Sequence, residues 1–176
     1  MTTEQTKTLE GLQLAIQMEI DGKEFYQKAS QRSNNELGRQ LFQTLAAEED
    51  IHRQKFEETY NAVSRKGSWS KPNFQPDGGK RLRTIFIKAT EEIGANIKVP
   101  NTELDAVKTA IDMEVKSYEL YKNRSQGAAF DAEREFYDIV AAEEREHHMV
   151  LLDYQEFLSN PAGWFVTKEH PSLDMG

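Results

Sequence analysis

The chain has 176 residues, 38% of them hydrophobic and 30% charged, a make-up that fits one soluble domain with a substantial core. A formal net charge of -8 argues against a basic nucleic-acid footprint. A mean hydropathy of -0.74, with no apolar run near the roughly 20 residues of a spanning helix, excludes a membrane span. Cysteine is absent, so disulfides, iron-sulfur clusters and thiolate metal sites are excluded, and any metal must be held by oxygen and nitrogen. The polar start Met1-Thr2-Thr3-Glu4-Gln5 has no signal-peptide core, and the expected location is the cytoplasm.

From Thr6 to about Ser33 the apolar residues Leu9, Leu12, Ile16, Ile20 and Phe25 recur at helical spacing. Ser33 with Glu36 three residues on has the form of a capping box, which predicts a restart. A second helix then runs to about Ser64, with Leu41, Phe42, Leu45, Glu49, His52 and Phe56 on one face. The join is so short that residues 7–64 should form an antiparallel helix hairpin.

Residues 65–101 differ: Gly67, Pro72, Pro76, Gly78-Gly79 and Pro100 break the pattern around one short helix, from Lys80 to about Ile93. This segment reads as a crossover, with Lys80, Arg81, Arg83 and Lys88 on the solvated side of its helix. Asn101-Thr102 offers an N-cap, a helix runs to Gln126, and Gly127 ends it. A last long helix covers Phe130 to Leu158, so residues 102–158 make a second hairpin. Asn160-Pro161 stops that helix, and in the tail, residues 159–176, Gly163-Trp164-Phe165 is expected to fold an aromatic plug onto the bundle.

The second hairpin repeats the first, without a gap, at a constant offset of 95 residues, from Glu19 to Glu114 and from His52 to His147. The same offset pairs Ala15-Ile16 with Ala110-Ile111, Met18 with Met113, Tyr26 with Tyr121, and Glu49-x-x-His52 with Glu144-x-x-His147. Two such hairpins pack most simply as a pseudo-symmetric four-helix bundle, and the expected fold is all-α, a single domain over residues 1–165. The crossover must then climb the bundle, roughly 40 Å at 1.5 Å per helical residue.

Glu-x-x-His on a helix puts a carboxylate and an imidazole on one face about a turn apart, within reach of one ion. Each copy has a lone glutamate on the facing helix, Glu19 or Glu114, set among apolar neighbours. Four inward carboxylates without cations would be prohibitively costly, whereas two divalent ions balance them. An oxygen and imidazole donor set without sulfur suits iron or manganese, and zinc could occupy it in an isolated preparation.

These motifs resemble the ferritin-like di-iron carboxylate proteins and, within them, the rubrerythrin family. The likeness runs through Ala15-Ile16-x-x-Glu19, Glu49-x-x-His52, Ala110-Ile111-x-x-Glu114, Glu144-x-x-His147 and the ending Asn160-Pro-x-Gly-Trp-Phe165. The resemblance implies Glu19, Glu49 and His52 on one iron and Glu114, Glu144 and His147 on the other, with Glu49 and Glu144 bridging. It also implies a di-iron oxidoreductase acting on peroxide or dioxygen. The rival reading is an iron-binding, ferroxidase or storage module without substrate turnover.

Two departures stand out. Without cysteine there is no rubredoxin domain, so an external donor such as a rubredoxin or a reductase must supply electrons. Ser117 also stands where rubrerythrins carry a further glutamate tied to peroxide chemistry. A homodimer is the expected assembly, and the long crossover would permit hairpins to be exchanged between its chains.

Around this set, Glu48 and Glu143 are candidates to accept hydrogen bonds from the histidine of the opposite hairpin. Tyr26 and Tyr121 could hydrogen-bond the site, with core packing the favoured reading. Met18 and Met113 read as core rather than haem ligands, and His148 and His170 as solvent-facing. Gly22, one turn from Glu19, leaves room either for dioxygen or peroxide or for close helix packing.

Overall fold

A computed structural model describes residues 1–166, which form six helices: α1 (Thr3–Arg32), α2 (Glu36–Lys66), α3 (Lys80–Ile93), α4 (Asn101–Gln126), α5 (Asp131–Ser159) and α6 (Pro161–Val166). The long helices pair as expected, α1 with α2 and α4 with α5, and among the described residues there is no strand.

The helix ends show which local signals operate. Thr2 caps α1, its Oγ1 accepting from the Gln5 amide at 3.1 Å. The predicted capping box at Ser33 does not form. Asn35 caps α2 instead, accepting from the Gly38 amide at 2.7 Å, while the Ser33 hydroxyl donates to Glu103 at 2.8 Å. A tertiary partner thus outcompetes the local one. Asn101 and Thr102 lie inside α4, whose N-cap is Pro100 with no side-chain cap bond. Gly67 ends α2 at φ 68°, a left-handed conformation that favours glycine.

The core divides in two. One cluster joins Tyr26, Leu41, Phe42, Leu45, Val107 and Phe157 to Leu82 and Phe86 of α3. The other joins Leu9, Leu12, Phe56, Tyr121, Tyr137 and Val140, with Trp69 and Phe74 of the crossover packed against it. The crossover therefore starts on one cluster and delivers α3 to the other, running along the bundle. Each fully buried Leu or Phe contributes roughly 1.5–3 kcal/mol relative to exposure. The layer between the clusters is polar, and it carries the site.

Three peripheral expectations change. Arg83 is not solvated like Lys80, Arg81 and Lys88, because its Nη1 donates to Glu146 of α5 at 2.6 Å and pins the crossover helix. Met18 and Met113 are only half-buried and belong to neither cluster. In the tail the expected plug forms, with Trp164 edge-on to Phe86 and Phe157, and Phe165, though 46% exposed, edge-on to Phe157 as well. His148 is half-buried, and His170 lies outside the described residues.

Candidate metal centre

Glu19 and Glu114 enter the polar layer from α1 and α4, and Glu49, His52, Glu144 and His147 from α2 and α5. All six are buried. Helical spacing aims each Glu-x-x-His pair inward, because the rest of its face is apolar: Leu45 and Phe56 on α2, Val140 and Leu151 on α5. His52 Nδ1 lies 2.9 Å from Glu144 and 3.5 Å from Glu19, and His147 Nδ1 lies 3.1 Å from Glu49 and 3.5 Å from Glu114. The two imidazoles are stacked with centroids 5.5 Å apart.

These short approaches are not hydrogen bonds. Glu19 Oε2, Glu49 Oε1, His52 Nδ1, Glu114 Oε2, Glu144 Oε1 and His147 Nδ1 are all buried without a hydrogen-bond partner. Six unpartnered donor atoms in one layer would be a heavy penalty for a protein that held nothing there. Two overlapping groups bring their ligand atoms within 4.8 Å: Glu19, Glu49, His52 and Glu144, and Glu49, Glu114, Glu144 and His147. Glu49 and Glu144 belong to both, which is the position of bridging carboxylates, so the residues fit two cations.

The sequence model of the Rubrerythrin family matches residues 10–155. The chain belongs to the rubrerythrin family. No curated protein and no solved structure matches it. Its four-helix bundle is ferritin-like, and its buried clusters of histidine and glutamate could hold metal ions.

Electrostatics divides the rubrerythrin-family carboxylates into two pairs. Burial, and then the charges of the neighbouring glutamates, push Glu49 and Glu144 well above the usual carboxylate range. For Glu114, burial is outweighed by His147 and by hydrogen bonding, which hold it down to about 2. Glu19 is likewise lowered, burial giving way to Glu49, His52 and Tyr121. Burial lowers His147, but Glu114, Glu48 and Glu49 outweigh it and raise its pKa well above the ordinary value. Any cation at Glu49 and Glu144 must therefore compete with protons for those carboxylates.

The surrounding groups are less symmetric than the ligands. His147 Nε2 lies 2.6 Å from Glu48, the predicted contact from the opposite hairpin. Its mirror image is missing, since Glu143 forms no hydrogen bond with His52 among the described residues, and Phe74 sits edge-on to the His52 ring at 6.4 Å. Tyr26 and Tyr121 do more than pack. Tyr26 donates to Glu114 and Tyr121 to Glu19 at 2.5 Å, each across to the other hairpin. The signal was present, because both tyrosines recur at the repeat offset two turns from a ligand. At Gly22 a Cβ would meet Glu49 Oε2 at 3.5 Å, an ordinary van der Waals contact, so the glycine leaves about a methyl's room beside that carboxylate rather than a forced close approach of helices.

Phe74 could not be foreseen, because the crossover has no counterpart in the repeat. Nor could the buried cluster at the hairpin-one turn, where Tyr154 donates to Glu103 at 2.5 Å beside Ser33.

Proposed function

We propose that this protein is a dinuclear iron oxidoreductase that reacts with peroxide or dioxygen and is re-reduced by an external donor such as a rubredoxin or a reductase. The observation that carries this reading is the convergence of six buried, unpartnered donor atoms in two overlapping ligand groups. Glu19, Glu49, His52 and Glu144 would hold one ion and Glu49, Glu114, Glu144 and His147 the other, and an oxygen and imidazole set favours iron or manganese. Two such ions, when bound, supply electron exchange and Lewis acidity toward an oxygen-oxygen bond.

The chain's own residues supply orientation and insulation. Glu48 accepts from His147 Nε2–H, which fixes the tautomer and leaves Nδ1 free as a ligand atom. The Tyr26 and Tyr121 hydroxyls each occupy one oxygen of a terminal carboxylate, turning the other oxygen to the ions. Burial pushes both phenols far above the usual tyrosine range, so they remain hydrogen-bond donors at every physiological pH. The two apolar clusters above and below the layer keep bulk water out.

The test is metal analysis of anaerobically purified protein, followed by stopped-flow mixing of the ferrous form with hydrogen peroxide and with dioxygen. Two iron ions per chain, and oxidation faster than that of free ferrous iron, are expected. A hollow multimer holding far more iron would make the protein a store. Loss of helix on chelation without redox reactivity would make the site structural.

A further inference from the structure

The Nδ1 atoms of His52 and His147 face the carboxylate layer, so the opposite edge of each ring points away from it. On that side lies a pocket of about 220 Å³, lined by Glu48, His52, Phe74, Asp77, Arg81 and Glu143. Glu143 is only 5% exposed, yet among the described residues it makes no hydrogen bond and no ion pair. Its side chain is packed away, yet neither of its oxygens is among the fully buried atoms without a partner, so the carboxylate opens onto the pocket and is free to take a ligand there. Glu143, His52 and His147 each present one ligand atom within 4.8 Å of the others. His147 Nε2 is already engaged by Glu48, so the free edge is that of His52.

We infer that this pocket binds a third divalent cation through Glu143 and the outer nitrogen of His52, and that cations enter the dinuclear layer from it. This rests on the reading of the six inner residues as metal ligands. Carboxylate and imidazole donors match the inner sites, so the pocket takes the same class of ion. Three carboxylates face one guanidinium here, a net negative mouth that concentrates cations. Asp77 adds field rather than a ligand atom, because its oxygens accept from the Gly79 and Arg81 amides at 3.0 Å. A neutral imidazole has one free lone pair. His52 therefore serves either the outer or the inner ion, and the outer position is a way station, vacated as the inner layer fills.

Cobalt(II) loading of the metal-free protein, followed by stopped-flow absorbance, tests this. Glu143→Gln is expected to slow loading about tenfold while the final stoichiometry stays at two. Arg81→Gln, which removes the opposing charge, is expected to speed it about threefold, a gain that misfolding cannot produce. The wild-type rate should fall as salt rises. In metal-free crystals, a short manganese(II) soak should give anomalous density beside Glu143 that fades at longer times. Unchanged rates in both variants, or density confined to the inner layer at every soak time, overturns the inference. Failure of the wild type to take up two cobalt ions overturns instead the dinuclear reading on which it rests.

Discussion

Hairpin one and hairpin two carry the same candidate metal ligands at a constant offset, but the structure surrounds them differently. His147 is held by Glu48 at 2.6 Å, while His52 has no such partner in Glu143 and borders the crossover pocket through Phe74. The turns differ as well. Hairpin one folds back through Ser33, Asn35 and Gly38 beneath Glu103 and Tyr154 of the other hairpin, whereas Phe130 at the corresponding turn of hairpin two is exposed. The repeat mates of Glu103 and Tyr154 are Thr8 and Thr59, which cannot rebuild that cluster. The six buried residues thus match between the hairpins while their flanks differ, Glu48 holding His147 on one side and a pocket bordering His52 on the other.

The turn of hairpin one is the sharpest place to break this comparison. A Cβ on Gly38 would collide with Ser33 Oγ and Glu103 Oε1 and lie 2.7 Å from Tyr154 Oη. Gly38→Ala should therefore cost about 3 kcal/mol, a fall in Tm of roughly 5–10 °C by calorimetry. A loss below about 1 kcal/mol would show that this turn is as loose as its counterpart.

Glu48→Gln probes the histidines. It should weaken one of the two ion affinities about 10- to 100-fold in a cobalt titration against a competing chelator, leaving the other largely intact. An equal loss at both positions would mean that His52 and His147 are supported alike.

The tyrosines probe what the hairpins share. Tyr26→Phe and Tyr121→Phe each remove one hydroxyl from a buried carboxylate, and each should cost the metal-free protein about 1.5 kcal/mol in urea unfolding. Unequal costs would extend the asymmetry into the ligand layer itself.

The smallest effect belongs to the metal-free layer as a whole. Glu49, Glu144 and His147 have folded pKa values raised above the ordinary 4.5 and 6.5. Their contribution is complete below those ordinary values and is lost as pH rises through the raised ones. Glu19 and Glu114 are lowered, so their contribution is present above 4.5 and is lost as pH falls through the folded values. Stability of the metal-free protein should peak near pH 5, with Tm falling as pH rises from 5 to 8. A Tm that rises between pH 5 and 8 would contradict this.

Much of the fold was legible because it is written twice. Helical spacing, the breakers at Gly67 and Pro100, and the repeat together specify two hairpins and a crossover, and Glu19, Glu49, His52, Glu114, Glu144 and His147 converge as their spacing requires. What escaped was set by contacts between distant segments. Ser33 abandons its local cap for Glu103, Arg83 turns to Glu146, and Phe74 reaches His52 from a stretch without periodicity. Tyr26 and Tyr121 were visible as a repeated pair, but packing and hydrogen bonding impose the same spacing on a tyrosine, so only coordinates separate them.

The polar layer between the two apolar clusters has a consequence for alignment. A bundle with an unbroken greasy interior could let one hairpin slide against the other by a helical turn at little cost. Here a shift of about 5.4 Å would drive four carboxylates and two imidazoles into Phe42 and Leu45 on one side or Leu12 and Tyr137 on the other. The charged plate therefore acts as an indexing pin, admitting one axial setting of the hairpins before any ion arrives.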